Sequence, residues 1–111
     1  MRASLARALI TGPNLLLMDE PFAALDEITR FNLEVQLRQL WEQRGMTVIF
    51  VTHSISEAAF LSGRAIVLTR RHGNIKLDQS IDLPAERTND LRSDPALGEQ
   101  MRVLLAAMEE E

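Results

Sequence analysis

Leu15-Leu16-Leu17-Met18-Asp19-Glu20-Pro21 is the stretch on which the reading of this chain turns: four apolar residues that end in two adjacent carboxylates and a proline. A short apolar run bounded by turn residues, here Gly12-Pro13-Asn14 before it and Pro21 after it, is the pattern of a strand buried in a parallel sheet. Ligands bind at the carboxyl ends of such strands, so Asp19-Glu20 predicts chemistry at that tip. Two carboxylates there suit attack on a phosphate. The first can hold Mg²⁺, usually through water, while the second orients and deprotonates the attacking water. An ordinary loop can also start with two acids, so the neighbouring segments decide.

Pro21-Phe22-Ala23-Ala24-Leu25-Asp26 follows directly, and Val48-Ile49-Phe50-Val51-Thr52-His53 forms a second apolar run that ends in a histidine. Between the two runs, Leu33, Leu37, Leu40 and Trp41 fall at i, i+4, i+7 and i+8, which is one face of a helix. Asp26 stands where an N-cap is wanted, and Gly45 lies just past the last periodic residue, where a left-handed cap is wanted. The unit from 15 to 51 therefore reads strand, helix, strand: a parallel crossover. Upstream, residues 2–11 are rich in Ala, Leu and Arg and predict a helix stopped by Gly12-Pro13.

Downstream, Ser54 and Glu57 are spaced as a capping box, which predicts a short helix from Ser54 through Leu61, ended by Ser62-Gly63. Residues 65–69 read as a third strand. Arg70-Arg71-His72-Gly73-Asn74 then turns the chain into Ile75-Lys76-Leu77, giving an antiparallel hairpin with His72 at the surface. Residues 80–95 read as an extended, mostly exposed connection. Asp94-Pro95 opens a last helix whose Leu97, Met101, Leu104, Leu105 and Met108 share a face, and Glu109-Glu110-Glu111 closes as a frayed acidic tail. The expected class is α/β, with parallel strands joined by a crossover helix, then a β-hairpin and a C-terminal helix.

The chain has 111 residues, 46% of them hydrophobic and 25% charged, which bounds it to one domain of ordinary globular composition. A net charge of −4 offers no basic footprint for nucleic acid. The absence of cysteine excludes a disulfide framework and thiolate metal sites. No apolar run approaches the roughly 20 residues that span a bilayer. Arg2 and Arg7 are not followed by the apolar segment of a signal peptide. There is no internal repeat.

The segments at 15–21, 21–26 and 48–53, in this order and at about this spacing, resemble the Walker B strand, D-loop and H-loop of the ATPase subunits of ABC transporters. Met1-Arg2-Ala3-Ser4-Leu5-Ala6-Arg7-Ala8-Leu9 looks like the helix that follows the family's LSGGQ-type signature. The signature itself is absent from the sequence, and so is any G-x-x-x-x-G-K-[ST] loop, the Walker A cradle for phosphates. Residues 1–111 thus look like the C-terminal part of a P-loop NTPase domain of this family.

The resemblance implies ATP and Mg²⁺ as cofactors. It makes Asp19 the residue that positions Mg²⁺ beside the β- and γ-phosphates, and Glu20 the general base that takes a proton from water. It places His53 on the γ-phosphate, linked to Glu20, although a lone histidine at a strand end is most simply a satisfied polar residue. Asp26 would help shape the interface between two ATPase subunits and the nucleotide site across it, alongside its capping role. The usual D-loop is Ser-Ala-Leu-Asp, and Ala23 stands here in the serine position. An aspartate commonly follows the H-loop histidine, where this chain has Ser54.

Asp19 to Arg30, Arg70 to Ile75 and Leu91-Arg92-Ser93-Asp94-Pro95 look like importers of nitrate, sulfonate, taurine and similar small anions. Such a subunit would lie peripherally on the cytoplasmic face of the inner (plasma) membrane. Its partners would be a second ATPase subunit, the transmembrane permease subunits and, indirectly, a solute-binding protein, with no nucleic acid. Two other readings stand beside this one. The first is a chromosome-maintenance or repair ATPase head, which the acidic charge and the lack of heptads disfavour. The second is a non-catalytic truncated remnant, which the missing phosphate loop favours.

Overall fold

The computed structural model describes residues 15–109. The helix expected over 2–11, its Gly12-Pro13 stop and the last two glutamates lie outside the described residues. The chain divides into two compact units, one ending at His53 and the other beginning at Ser54.

In the first unit β1 (Leu15–Asp19) and β2 (Thr47–Val51) pair in parallel, from Leu15 opposite Thr47 to Asp19 opposite Val51, with α1 (Glu27–Arg44) as the crossover. Both ends of α1 are capped as their residue types dictate. Asp26 has extended backbone and its Oδ2 accepts from the Thr29 N–H at 3.1 Å. Gly45 has φ 63°, a conformation open to glycine, and from it donates its N–H to the Trp41 carbonyl at 2.9 Å. The buried face of α1 is Glu34, Leu37 and Trp41, while Leu33 and Leu40 are only half-buried. The stripe is therefore centred one residue away from the one expected, and it includes an acid whose carboxylate stands 3.9 Å from the Arg30 guanidinium.

The expectation of fully buried strands is corrected. Leu16 is buried, with Met18, Val48 and Phe50 half-buried on the same face, where the Trp41 and Phe50 rings lie 6.5 Å apart. The opposite face is bare: Leu15, Leu17, Ile49 and Val51 are each more than half exposed. A single crossover helix covers only one side of a two-stranded sheet, which is why near-continuous apolar strands here show the burial pattern of half-solvated ones.

In the second unit α2 (Ile55–Leu61) starts where expected, with Ser54 Oγ accepting from the Glu57 N–H at 3.2 Å. Ala59, Phe60 and Leu61 are fully buried. β3 (Arg64–Leu68) and β4 (Ile75–Ser80) form the antiparallel hairpin, with a bulge beside Val67/Leu68. The chain reverses through the four residues 70–73, of which His72 and Gly73 take positive φ, 70° and 61°. Thr69 ties the turn down: its N–H reaches the Asn74 carbonyl and its Oγ1 accepts from the Asn74 N–H.

The connection after β4 is not the exposed strip that its prolines and charges suggest. Ile81, Arg87 and Leu91 are buried, and Asn89–Ser93 winds into a 3₁₀ turn before α3 (Pro95–Glu109). α3 packs on α2, β3 and β4, burying Leu97, Leu104 and Ala107. Met101 is half-buried, but Leu105 and Met108 stay 44% and 43% exposed, so they leave the face they were expected to share. The contact stripe is narrow, and small Ala107 occupies the place where Met108 was expected. Among the described residues no helix is long and apolar enough to cross a membrane.

Candidate active site

Because β1 and β2 run parallel and in register, their carboxyl ends lie side by side. Glu20 extends the ladder by one residue, donating its N–H to the Val51 carbonyl at 2.7 Å. It then turns with φ 48°, in the left-handed region that residues with a Cβ seldom enter. Such a conformation costs on the order of 1–3 kcal/mol and persists only where the surroundings impose it. Here the surroundings are the Val51 bond on one side and, on the other, the turn closed by Ala23 N–H to Glu20 O, with Pro21 and Phe22 buried behind it.

The result is that the Glu20 carboxylate meets the imidazole that follows β2: His53 Nε2 stands 3.2 Å from Glu20 Oε1. The histidine side chain is 89% exposed and the carboxylate 38% exposed, so the pair is open to a ligand from solvent. Asp19, the last residue of β1, is exposed at the same tip. It offers a hard oxygen ligand of the kind Mg²⁺ takes singly or in pairs, completing its shell with water and phosphate. Among the described residues there is no cluster of three or more His, Cys, Asp or Glu that could hold a metal.

Asp26 stands apart from this pair in its contacts. Its carboxylate is committed to Thr29, whose side chain first and backbone N–H second hold it below the ordinary aspartate range. Its capping role is therefore the one visible in the chain itself. Sequence reasoning overlooked two contributors, the Val51 carbonyl and the Phe22 anchor. Only Phe22 left a signal, as a lone aromatic in a short loop.

No family-level sequence profile matches the chain. Individual proteins do. It is 46% identical over 107 residues to an aliphatic sulfonates import ATP-binding protein, SsuB, of Mycobacterium sp. (strain MCS), a match covering 96% of this chain and 42% of that protein. It is 48% identical to a second such protein, SsuB 2, of Streptomyces avermitilis, over 96% of this chain and 41% of that one. It is 50% identical over 90 residues to an uncharacterized ABC transporter ATP-binding protein of Methanocaldococcus jannaschii, covering 79% of this chain and 34% of the relative. The chain thus spans about two fifths of the length of the first two relatives.

Proposed function

We propose that this chain, a homologue of ABC transporter ATP-binding proteins over nearly its whole length, carries the water-activating half of an ATP-hydrolysing site and works as part of a longer import subunit. The observation that carries the reading is the 3.2 Å approach of His53 Nε2 to Glu20 Oε1 at the adjoining ends of two parallel strands. Glu20 accepts the proton of the attacking water. His53 orients that carboxylate and, from its exposed position, reaches toward the terminal phosphate. Asp19 offers its carboxylate as the water-mediated ligand of Mg²⁺. When bound, Mg²⁺ neutralises charge on the phosphates.

The phosphate cradle and a subunit-spanning partner motif belong on this proposal to the remainder of the longer protein. The bare apolar face of Leu15, Leu17, Ile49 and Val51 supports that reading, since a domain core normally covers such a face. The names of the first two relatives favour an organic anion such as a sulfonate as the imported solute. They also favour permease subunits as partners at the cytoplasmic membrane surface. Dimerisation of the ATPase subunit, with Asp26 near the shared site, follows from the same resemblance.

In the longer protein, Glu20→Gln is the test. It should leave ATP binding intact and lower turnover at least about 10²-fold, the low end of a general base's contribution. Turnover within a few-fold of the parent would end the assignment.

A further inference from the structure

The Glu20 carboxylate is 38% exposed, so packing around the side chain does little to aim it. The backbone aims it instead. At φ 48° the side chain leaves the strand end in a direction that the ordinary negative-φ conformation does not give. Such an angle is kept only while neighbouring residues impose it.

The neighbours divide unequally. On the strand side, the 2.7 Å bond from Glu20 N–H to the Val51 carbonyl fixes the peptide plane that enters Glu20, but not the rotations that follow it. Those rotations are set by residues 21–25. The hydrogen bonds of that turn are weak, since Ala23 N–H to Glu20 O at 3.3 Å and Leu25 N–H to Phe22 O at 3.2 Å lie at or past the long end of the usual range. Pro21 pulls the other way, because the residue before a proline prefers extended backbone. Ala23, Ala24 and Asp26 are exposed and Leu25 is half-buried. Phe22, at 2% exposure, is the one large side chain of the turn that is fully out of water. Burying a phenyl ring stabilises by about as much as a left-handed residue with a Cβ costs.

We infer that Phe22 is a positioning residue for Glu20: its burial draws the turn inward, holds Glu20 at positive φ, and so keeps the carboxylate at the 3.2 Å approach to His53 Nε2. Phe22 acts only through the backbone of the glutamate. The expected effect on turnover rests on Glu20 being the general base; the effect on the backbone does not.

Two measurements on the longer protein test the inference, one of geometry and one of rate. A high-resolution structure of the Phe22→Ala variant should show Glu20 relaxed to negative φ, and Phe22→Val gives the same comparison in a chain that keeps more of its packing. A Glu20 that stays at positive φ in either variant overturns the inference. In the rate measurement, Phe22→Ala should lower ATP turnover at least about tenfold, the scale of a misplaced catalytic group, with ATP affinity within about twofold of the parent. Phe22→Leu should restore most of the turnover. In a Glu20→Gln background, Phe22→Ala should lower turnover no further, because the group it positions is already lost. A loss that is the same with and without the Glu20 carboxylate, or one that comes with loss of ATP binding, would make Phe22 a packing residue only. Normal turnover in Glu20→Gln alone would instead remove the general-base reading, and the geometry measurement would still decide the role of Phe22.

Discussion

Arg87 Nη1 donates to the main-chain carbonyl of Phe60 at 2.9 Å, and the arginine as a whole is only 3% exposed. The same nitrogen reaches the Ser62 carbonyl at 3.1 Å and that of Ala59 at 3.4 Å, while Nε donates to Pro84 O. The Ala59, Phe60 and Ser62 carbonyls lie at the C-terminal end of α2, where the last carbonyls of a helix lack partners of their own. A cation at this end also faces the negative pole of the helix. The Arg92 guanidinium lies 3.8 Å from the centroid of the Phe60 ring, so two arginines hold the 81–93 connection on α2.

Arg87→Met should therefore destabilise the second unit by about 2–3 kcal/mol, because it fills similar space but leaves buried carbonyls unsatisfied. Arg87→Lys should recover only part of the loss, since one ammonium cannot span the same fork of acceptors. Urea midpoints of the parent and both variants measure this. A midpoint unchanged in Arg87→Met would show that water satisfies those carbonyls equally well.

His53→Ala should act on chemistry rather than folding. At 89% exposure the imidazole has little packing to lose, so the melting temperature should stay within about 2 °C, the range of surface substitutions. Turnover of ATP by the longer protein should fall at least tenfold, on the order of the 10²–10⁴-fold owed to positioned proton-transfer groups. An active variant with a large drop in melting temperature would make His53 structural.

Acid should weaken the fold below the ordinary carboxylate range. The Arg64 side chain, bonded to Asp78, holds that carboxyl below 3.8; Arg102 likewise holds Glu99 below 4.5, and Thr29 holds Asp26 below 3.8. A depressed folded-state value contributes stability that is present above the unfolded value and lost as pH falls through the folded one. All three groups lie on the surface, so the effect is small and salt-screened. Denaturant midpoints from pH 5 down to pH 2.5 should decline, and Asp78→Asn should flatten the decline. A slope identical in that variant would remove the Arg64 pair from the account.

Isothermal titration of the 111-residue chain with Mg-ATP should show no micromolar binding. Phosphoryl transfer rests on positioning and charge neutralisation, and the sequence has neither a glycine-rich cradle nor the lysine that completes it; its only lysine, Lys76, lies on β4. Tight binding by a folded monomer would relocate the nucleotide site.

The parts of the fold that are locally encoded could be read from the chain directly. Asp26, Gly45 and Ser54 each bring their own capping chemistry, and the apolar runs at β1 and β2 with one amphipathic segment between them admit little besides a parallel crossover. What escaped depends on distant residues. Arg87 looks like any solvated charge in a Pro- and acid-rich strip until the end of α2 is placed against it. Leu105 and Met108 fit the period of α3, yet Ala107 faces inward in place of Met108. At the site, Asp19, Glu20 and His53 were singled out by kinship of pattern, and in-register strand pairing supplies the physical means of bringing Glu20 and His53 together. The positive φ of Glu20 had no signature beyond an ordinary Glu-Pro step.

That backbone angle sets protein engineering against function at this position. A sequence optimised purely for stability would replace Glu20 by glycine, which occupies φ 48° without penalty. Stabilising choices of this kind are usually silent elsewhere in a protein. Here the most favourable residue for the backbone is one with no carboxylate at all, so screening for heat resistance alone would select against hydrolysis, and a glutamate retained there would mark selection for activity.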